Sequence, residues 1–329
     1  GSAMLRKPER LASLVHDIAL DSPLPLTVKI RTAAAGRSIN AREVVRLVRE
    51  AGASAVTIHG RTSEQRYSRA ADWALIGQIV AENAAAGGAS RMPIIGNGDV
   101  LTQYEAERLI RTSGVDALMI GRAALTQPWS FQNFYSRSEW QPDAFERVSI
   151  YRRLACYQKE HFGDDERGRQ KAFNFLPWHF DFFTRYRPLP EADFASASER
   201  HPLMLTRFNI PDDATPLERV LSRSSDAPLH ERIASVLWES STDAAAVREL
   251  SALGEGLDPS LASEAAEVIE LSNVPSASDG GKGVRRRRRR VRPPPRTEAE
   301  IAALRAARSA KREASGALPH VDGRAELAA

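Results

Sequence analysis

Residues able to bind or polarise a ligand recur at the ends of four short apolar runs. Lys29 lies near the end of Pro25–Ile30, His59 follows Ala55–Ile58, Asn97 and Asp99 follow Pro93–Gly96, and Arg122 follows Ala117–Ile120. A lysine in an otherwise apolar run is costly unless its ammonium meets an anion or an acceptor. The last two runs also share a form: Pro93-Ile-Ile-Gly-Asn-Gly-Asp99 and Ala117-Leu-Met-Ile-Gly-Arg122 each stop in glycine and a polar side chain. Gly98 and Gly121 allow backbone N–H groups to approach phosphate oxygens, and Arg122 offers a planar cationic fork, so the paired ends could cradle one phosphate. Two tight turns beside an incidental arginine, and a His59 bonded to a neighbouring carbonyl, are the bland alternatives. Neither explains why all four runs deliver polar groups at the same end.

The elements that must position these residues follow from periodicity. Four apolar runs of strand length alternate with amphipathic helices expected near 41–51, 73–86 and 104–112, after a first helix over about 8–20. Asn40 and Thr102 are placed as N-caps, and Gly52, Gly87 and Gly114 as stops. Strands joined in this way pair in parallel and open all their C-terminal ends on one face, which implies a doubly wound sheet or part of a barrel. From Phe145 to about Arg187 the period is helical and aromatics are dense, with basic residues such as Arg152, Lys159, Arg169, Lys171, Arg185 and Arg187 interleaved. Most of the aromatics are expected in a core and most of the basic residues on a solvated face. A Pro-, Asp- and Ser-rich loop then leads to a small helix over Leu229–Trp238, and about 240–271 reads as weakly helical. Beyond Ser272 come Arg285–Arg290, Pro293–Pro295 and, at Thr297 and Glu300, the spacing of a capping box whose helix would align Arg305, Arg308 and Arg312. This tail reads as disordered and basic.

Composition narrows the function classes. The 329 residues carry a net charge of +4, concentrated in the arginine run, so a polyanion is a reasonable partner. No long apolar stretch indicates a membrane span. One cysteine, Cys156, precludes an internal disulfide framework and a cysteine-rich zinc site. It is expected to be a small core residue of a helix. His161, His179, His201 and His230 lack the spacing of metal ligands, and no phosphate-binding P-loop or serine nucleophile elbow is present, so no metal is expected. A lysine and a histidine beside a phosphate cradle suit a phosphorylated planar cofactor with an electron-rich ring. Flavin mononucleotide (FMN) fits best, because a cation at the pyrimidine edge stabilises the charge of its reduced form.

The ordered set Leu26-Thr-Val-Lys-Ile-Arg-Thr32, Val56-Thr-Ile-His-Gly-Arg-Thr-Ser-Glu-Gln-Arg-Tyr67 with Ala71-Asp-Trp73, Gly96-Asn-Gly-Asp-Val100, and Met119-Ile-Gly-Arg-Ala-Ala-Leu125 with Pro128-Trp129 resembles the tRNA-dihydrouridine synthase family. The similarity covers roughly residues 1–240 and is strongest to the eukaryotic branch acting on uridine 47 of the variable loop. It implies an α/β fold: the C-terminal half of an FMN-binding TIM barrel, its last four strands within 1–140, then a helical tRNA-binding domain over 141–240; the arginine-rich, mostly disordered tail over 241–329, with a candidate terminal helix, is read from composition and its arginine run lies outside the resemblance. It implies Lys29 and His59 as flavin-ring contacts, and Asn97, Gly98, Asp99, Gly121 and Arg122 as the ribityl and phosphate site. It also implies tRNA as substrate and NADPH as reductant, with uridine reduced to 5,6-dihydrouridine. The catalytic cysteine of the family is expected on a loop upstream of Gly1, so no catalytic residue is assigned within the chain and the piece alone is expected to be inactive. Cys156, after the barrel strands, does not inherit that role. A cytoplasmic or nuclear location is expected. The rival readings are another FMN barrel oxidoreductase acting on a small molecule and a non-catalytic RNA-binding remnant.

Overall fold

The computed structural model describes residues 2–257 apart from 37, 88–90, 207, 209, 212 and 224. The expected weak helix beyond 257, the arginine run and the capping box at Thr297 lie outside the described residues. Helix α1 (Pro8–Asp21) precedes a strict alternation of β1 (Thr27–Arg31), α2 (Ala41–Glu50), β2 (Ala55–His59), α3 (Trp73–Gly87), β3 (Ile94–Asn97), α4 (Gln103–Ser113) and β4 (Ala117–Met119). The strands form one parallel sheet in the order β1-β2-β3-β4. A doubly wound sheet reverses its strand order at a switch point, whereas this order runs on in one direction and α1 to α4 pack side by side in sequence. Of the two expected windings, the structure therefore has the one-directional kind.

One face of the sheet makes the first core. Ile30, Val56, Ile58 and Ile94 pack against Leu11 and Val15 of α1, Val44, Val45 and Val48 of α2, and Ile76 and Ile79 of α3. Residues alternate across a strand, so Lys29, Arg31, His59 and Asn97 belong to the opposite face. Thr102 and Glu105 cap α4 reciprocally, and Gly114 ends it in the left-handed region, as expected. Asn40 departs from expectation: its side chain does not cap α2 but donates to the Leu5 carbonyl at 2.8 Å, fastening the chain's first turn to the α2 start.

After β4, α5 (Arg122–Thr126) and α6 (Ser130–Ser136) lead to α7 (Ala144–Phe162), α8 (Glu166–Phe173) and α9 (Leu176–Phe183). The segment read as a loop between 188 and 228 instead holds α10 (Glu191–Arg200), a 3-10 turn (Leu203–Leu205) and α11 (Pro216–Ser222), followed by α12 (Ala227–Glu239) and α13 (Asp243–Glu255). Tyr151, Phe180, Phe183, Leu221, Ile233, Trp238 and Leu250 form a second core, which also takes in Trp129. Helix α13 packs on α7, α11 and α12 and buries Ala246 and Leu250 with them, so this core runs on past 240, where the helical domain was expected to end. Leu189 and Leu203, with Phe194 of α10, pack instead on Leu101, Tyr104 and Ala123 of the α/β half.

Candidate functional site

The register of the sheet sets the first row of the site. Arg31 pairs with His59, and His59 with Asn97, so three strands present a cation, an imidazole and an amide side by side at their C-terminal ends. Lys29 sits one pleat back on the same face, beside Thr57. Asn97 donates from Nδ2 to the Met119 carbonyl at 2.6 Å and Arg31 donates from Nη1 to the Thr62 carbonyl at 2.8 Å, each anchored to the neighbouring strand or its loop.

Asp99 is the hub of the β3 end. Arg61 Nη2 lies 2.7 Å from both of its oxygens, Arg122 Nη2 donates to Oδ1 at 2.8 Å, and the Ala71 amide donates to Oδ2 at 2.7 Å. The carboxylate is fully buried, so it holds the two guanidinium groups rather than facing an open site. Asp99, expected among the ribityl and phosphate residues, spends both carboxylate oxygens on these protein donors, Arg122 of the same set among them. Gly98 adopts φ +126°, and a Cβ there would lie 2.6 Å from the Ala71 Cβ, so glycine is required by the protein's own crowding. Its carbonyl accepts from Trp73 Nε1 at 2.9 Å. Gly121 differs: a Cβ would meet nothing within 4 Å, so the space beside Arg122 is open.

The run from His59 to Tyr67 is a folded loop. Thr62 and Gln65 exchange side-chain and backbone hydrogen bonds, at 2.9 and 3.2 Å, and Arg61 donates from Nε and Nη2 to the Arg69 carbonyl. This brings the Tyr67 ring beneath the Arg122 guanidinium, 4.0 Å from its centre. Arg61 and Tyr67 were not singled out by the sequence as site residues. The signal available was their place in the His-Gly-Arg-x-x-x-Gln-Arg-Tyr run.

Electrostatics confirm a cationic environment. Burial, then Arg31, Lys29, Arg61 and Arg122, push the His59 pKa down to about 3, so its imidazole is neutral near pH 7. Burial and Arg31 also lower that of Lys29, and no carboxylate is paired with its ammonium among the described residues. Burial brings Arg122 down to about 10, against the opposing pull of Asp99, and it stays protonated. Two guanidinium groups share the Asp99 carboxylate, and among the described residues Lys29 and Arg31 pair with none. The surplus positive charge on this face is suited to an anion.

The helical half supplies no comparable cluster. Some of its basic residues are spent on structure: Arg152 binds the Ser240 and Ser241 carbonyls and Asp243, Arg169 binds Ser235 and Glu239, and Arg187 binds the carbonyls of Thr184, Tyr186 and Ser222, while Arg153, Arg167 and Lys171 are exposed as expected. Cys156 is half-buried on α7 and its neighbour Ala155 is the residue that enters the core, which corrects the expected core placement. His179 reaches back to α5, with Nε2 3.1 Å from the Leu125 carbonyl. Among the described residues no group of three or more histidine, cysteine or acidic residues could hold a metal ion, and no helix is long and apolar enough to cross a membrane.

Comparison with known proteins gives this geometry a context. The human protein named tRNA-dihydrouridine(47) synthase (NAD(P)(+))-like is 36% identical over 189 residues, 57% of this chain and 28% of that protein. The tRNA-dihydrouridine(47) synthases of Cryptococcus neoformans and Coprinopsis cinerea are 38% identical over 195 residues and 37% identical over 218 residues, covering 57% and 64% of this chain and 27% and 32% of their own lengths. The chain thus spans about a third of the length of these relatives. The model of the dihydrouridine synthase family matches residues 1–197, a span that holds the whole sheet and the Lys29, His59, Asp99 and Arg122 cluster. The chain belongs to the dihydrouridine synthase family.

Proposed function

We propose that this chain is the part of an FMN-dependent tRNA-dihydrouridine synthase that carries the last four strands of a TIM barrel and half of its cofactor site. The carrying observation is the face on which Lys29, Arg31 and Arg122 surround His59 while Asp99, the one carboxylate paired with these cations among the described residues, is already shared between Arg61 and Arg122. A site with this charge excess fits a group that is anionic at both a ring edge and a phosphate. Lys29 and His59 would hold the ring edge. Asn97, Gly98, Gly121 and Arg122 would hold the ribityl and phosphate end, where Gly121 leaves room for it and Arg122 has Nε and Nη1 without a protein acceptor among the described residues.

When bound, FMN reduced by NADPH supplies the hydride that reduces the C5=C6 bond of uridine in tRNA, with position 47 favoured by the names of the relatives. The part played by these residues is electrostatic. A half-buried Lys29 ammonium stabilises negative charge more strongly than it would in water, and neutral His59 can donate a hydrogen bond without releasing a proton. The proton for the second carbon is assigned to a cysteine outside these residues, since Cys156 lies half-buried on α7, beyond the sheet and its strand ends. The helical half and the arginine run are proposed to meet tRNA. A cytoplasmic or nuclear location accords with that substrate.

The test uses the full-length protein and its gene. Mass spectrometry of tRNA from cells lacking the gene should show loss of dihydrouridine at position 47. The purified Arg122→Ala protein should lose flavin absorbance on gel filtration while the unaltered protein stays yellow. Unchanged dihydrouridine in the deletion strain would overturn the activity, and a colourless unaltered protein would overturn the cofactor.

A further inference from the structure

We propose that Arg61 is a positioning residue that sets two groups at once: it fixes the His59 tautomer with the proton on Nδ1, and through Asp99 it fixes the direction of Arg122. Only the part that concerns FMN affinity rests on the function proposed above. The geometry starts from the inventory of a guanidinium, which has five N–H donors and no acceptor. Arg61 Nη1 lies 3.4 Å from His59 Nε2. Nε2 must therefore accept, so a neutral imidazole carries its hydrogen on Nδ1. The position a Gly98 Cβ would take lies 3.2 Å from His59 Cδ2 and 3.5 Å from Nε2, so the same ring edge is packed on the β3 loop. The Nδ1–Cε1 edge is the one left to meet a ligand. The charged groups facing His59 are Arg31, Lys29, Arg61 and Arg122, all cations, which disfavours a doubly protonated ring.

The other donors of Arg61 complete the device. Nε and Nη2 bind the Arg69 carbonyl, and Nη2 also binds Asp99, whose Oδ1 is in turn the anchor of Arg122. One fully buried side chain thus joins the β2 end, the loop that follows it, and the residues after β3 and β4. A lysine could supply the charge, but its three donors radiate from one nitrogen and cannot span the Arg69 carbonyl, Asp99 and His59 as the separate Nε, Nη1 and Nη2 do. Geometry, more than charge, is what Arg61 contributes.

The experiment is nitrogen-15 NMR of histidine-labelled full-length protein at pH 7, with the His59 signal assigned by its loss in His59→Gln. The expected spectrum has a protonated, pyrrole-type Nδ1 and a pyridine-type Nε2. Arg61→Lys should lose this tautomer preference and weaken FMN binding about tenfold or more in equilibrium dialysis. Asp99→Asn should weaken FMN to a similar extent while leaving the His59 tautomer in place, a separation that general destabilisation would not produce. A protonated Nε2 in the unaltered protein, or Arg61→Lys protein that keeps both the tautomer and the affinity, would overturn the proposal. If Arg61→Lys fails to fold, the unaltered spectrum and Asp99→Asn decide. If the unaltered protein binds no FMN, the cofactor reading fails and the tautomer alone decides this one.

Discussion

At the scale of single residues, two buried histidines make stability depend on pH in a predictable direction. His59 and His179 have pKa values lowered by burial to about 3 and about 4, against 6.5 for an unburied histidine. Above 6.5 both are neutral in the folded and unfolded chains, and they impose no cost. As pH falls below 6.5 the unfolded chain takes up protons that the folded chain resists, and stability drops until the folded values are passed. Between pH 7 and pH 5 the loss is about 2 kcal/mol for each histidine. Urea unfolding at the two pH values should therefore show a smaller drop for His59→Gln and for His179→Gln than for the unaltered chain, and equal drops would refute the assignment. Arg61 shows what the sequence could not say at this scale. Lys29, His59 and Arg122 were legible because each ends an apolar run, but the partner that gives Arg61 its meaning, Asp99, lies 38 positions away. A charge pattern along the chain carries no information about a buried pair that only parallel strand pairing brings together.

At the scale of elements, the βα alternation was readable because each helix and strand had its own periodicity and stop residue, whereas contacts between elements were not. Gly96 illustrates this. It reads as the end of a strand, yet a Cβ there would lie 2.4 Å from Trp73 Cζ3, because the six-membered ring of the Trp73 indole on α3 packs on β3 at this position. Gly96→Ala should push the ring aside and break the Trp73 Nε1 bond to the Gly98 carbonyl. The expected cost is about 1–3 kcal/mol, measured as a lower urea midpoint together with a change in tryptophan fluorescence. A fully stable variant would show that the indole has room to shift. Helices α10 and α11 escaped the sequence for a related reason, and α13 was legible only as a weak helix. Proline-, aspartate- and serine-rich surroundings hid the first two, and α13 is alanine-rich, with Ala246 and Leu250 as its most deeply buried apolar contacts. Its fit against α11, rather than a strong apolar stripe, is what holds it. Removing everything after Ser240 should consequently expose the second core, lowering the thermal midpoint of the helical half and raising binding of a hydrophobic dye. No change in either would mean that α13 is a passive appendage.

At the scale of the whole molecule, what matters is how much of the sheet is left without a neighbour. Among the described residues β1 and β4 each pair on one side only. Unpaired edges promote association, but these two are unequal and both are weak. β1 carries Lys29 and Arg31, charges of the kind that discourage strand addition, and β4 has only three residues. The stronger adhesive feature is α1 and the turn after it, where Leu14, Ile18, Leu20 and Leu24 are 46%, 42%, 69% and 73% exposed. Each such side chain is worth roughly 1.5–3 kcal/mol when fully covered, more than a three-residue edge can add through backbone bonds whose net value is about 1 kcal/mol each. The 329-residue chain expressed alone should therefore self-associate through this apolar ridge, with a mass by light scattering that rises with concentration. Leu20→Lys together with Leu24→Lys should return it toward monomer, while a lysine placed in β4 at Leu118 should change association little. A chain that stays monomeric at every concentration would show that the ridge is not adhesive, and association unchanged by the leucine pair but abolished at β4 would transfer the role to the sheet edge.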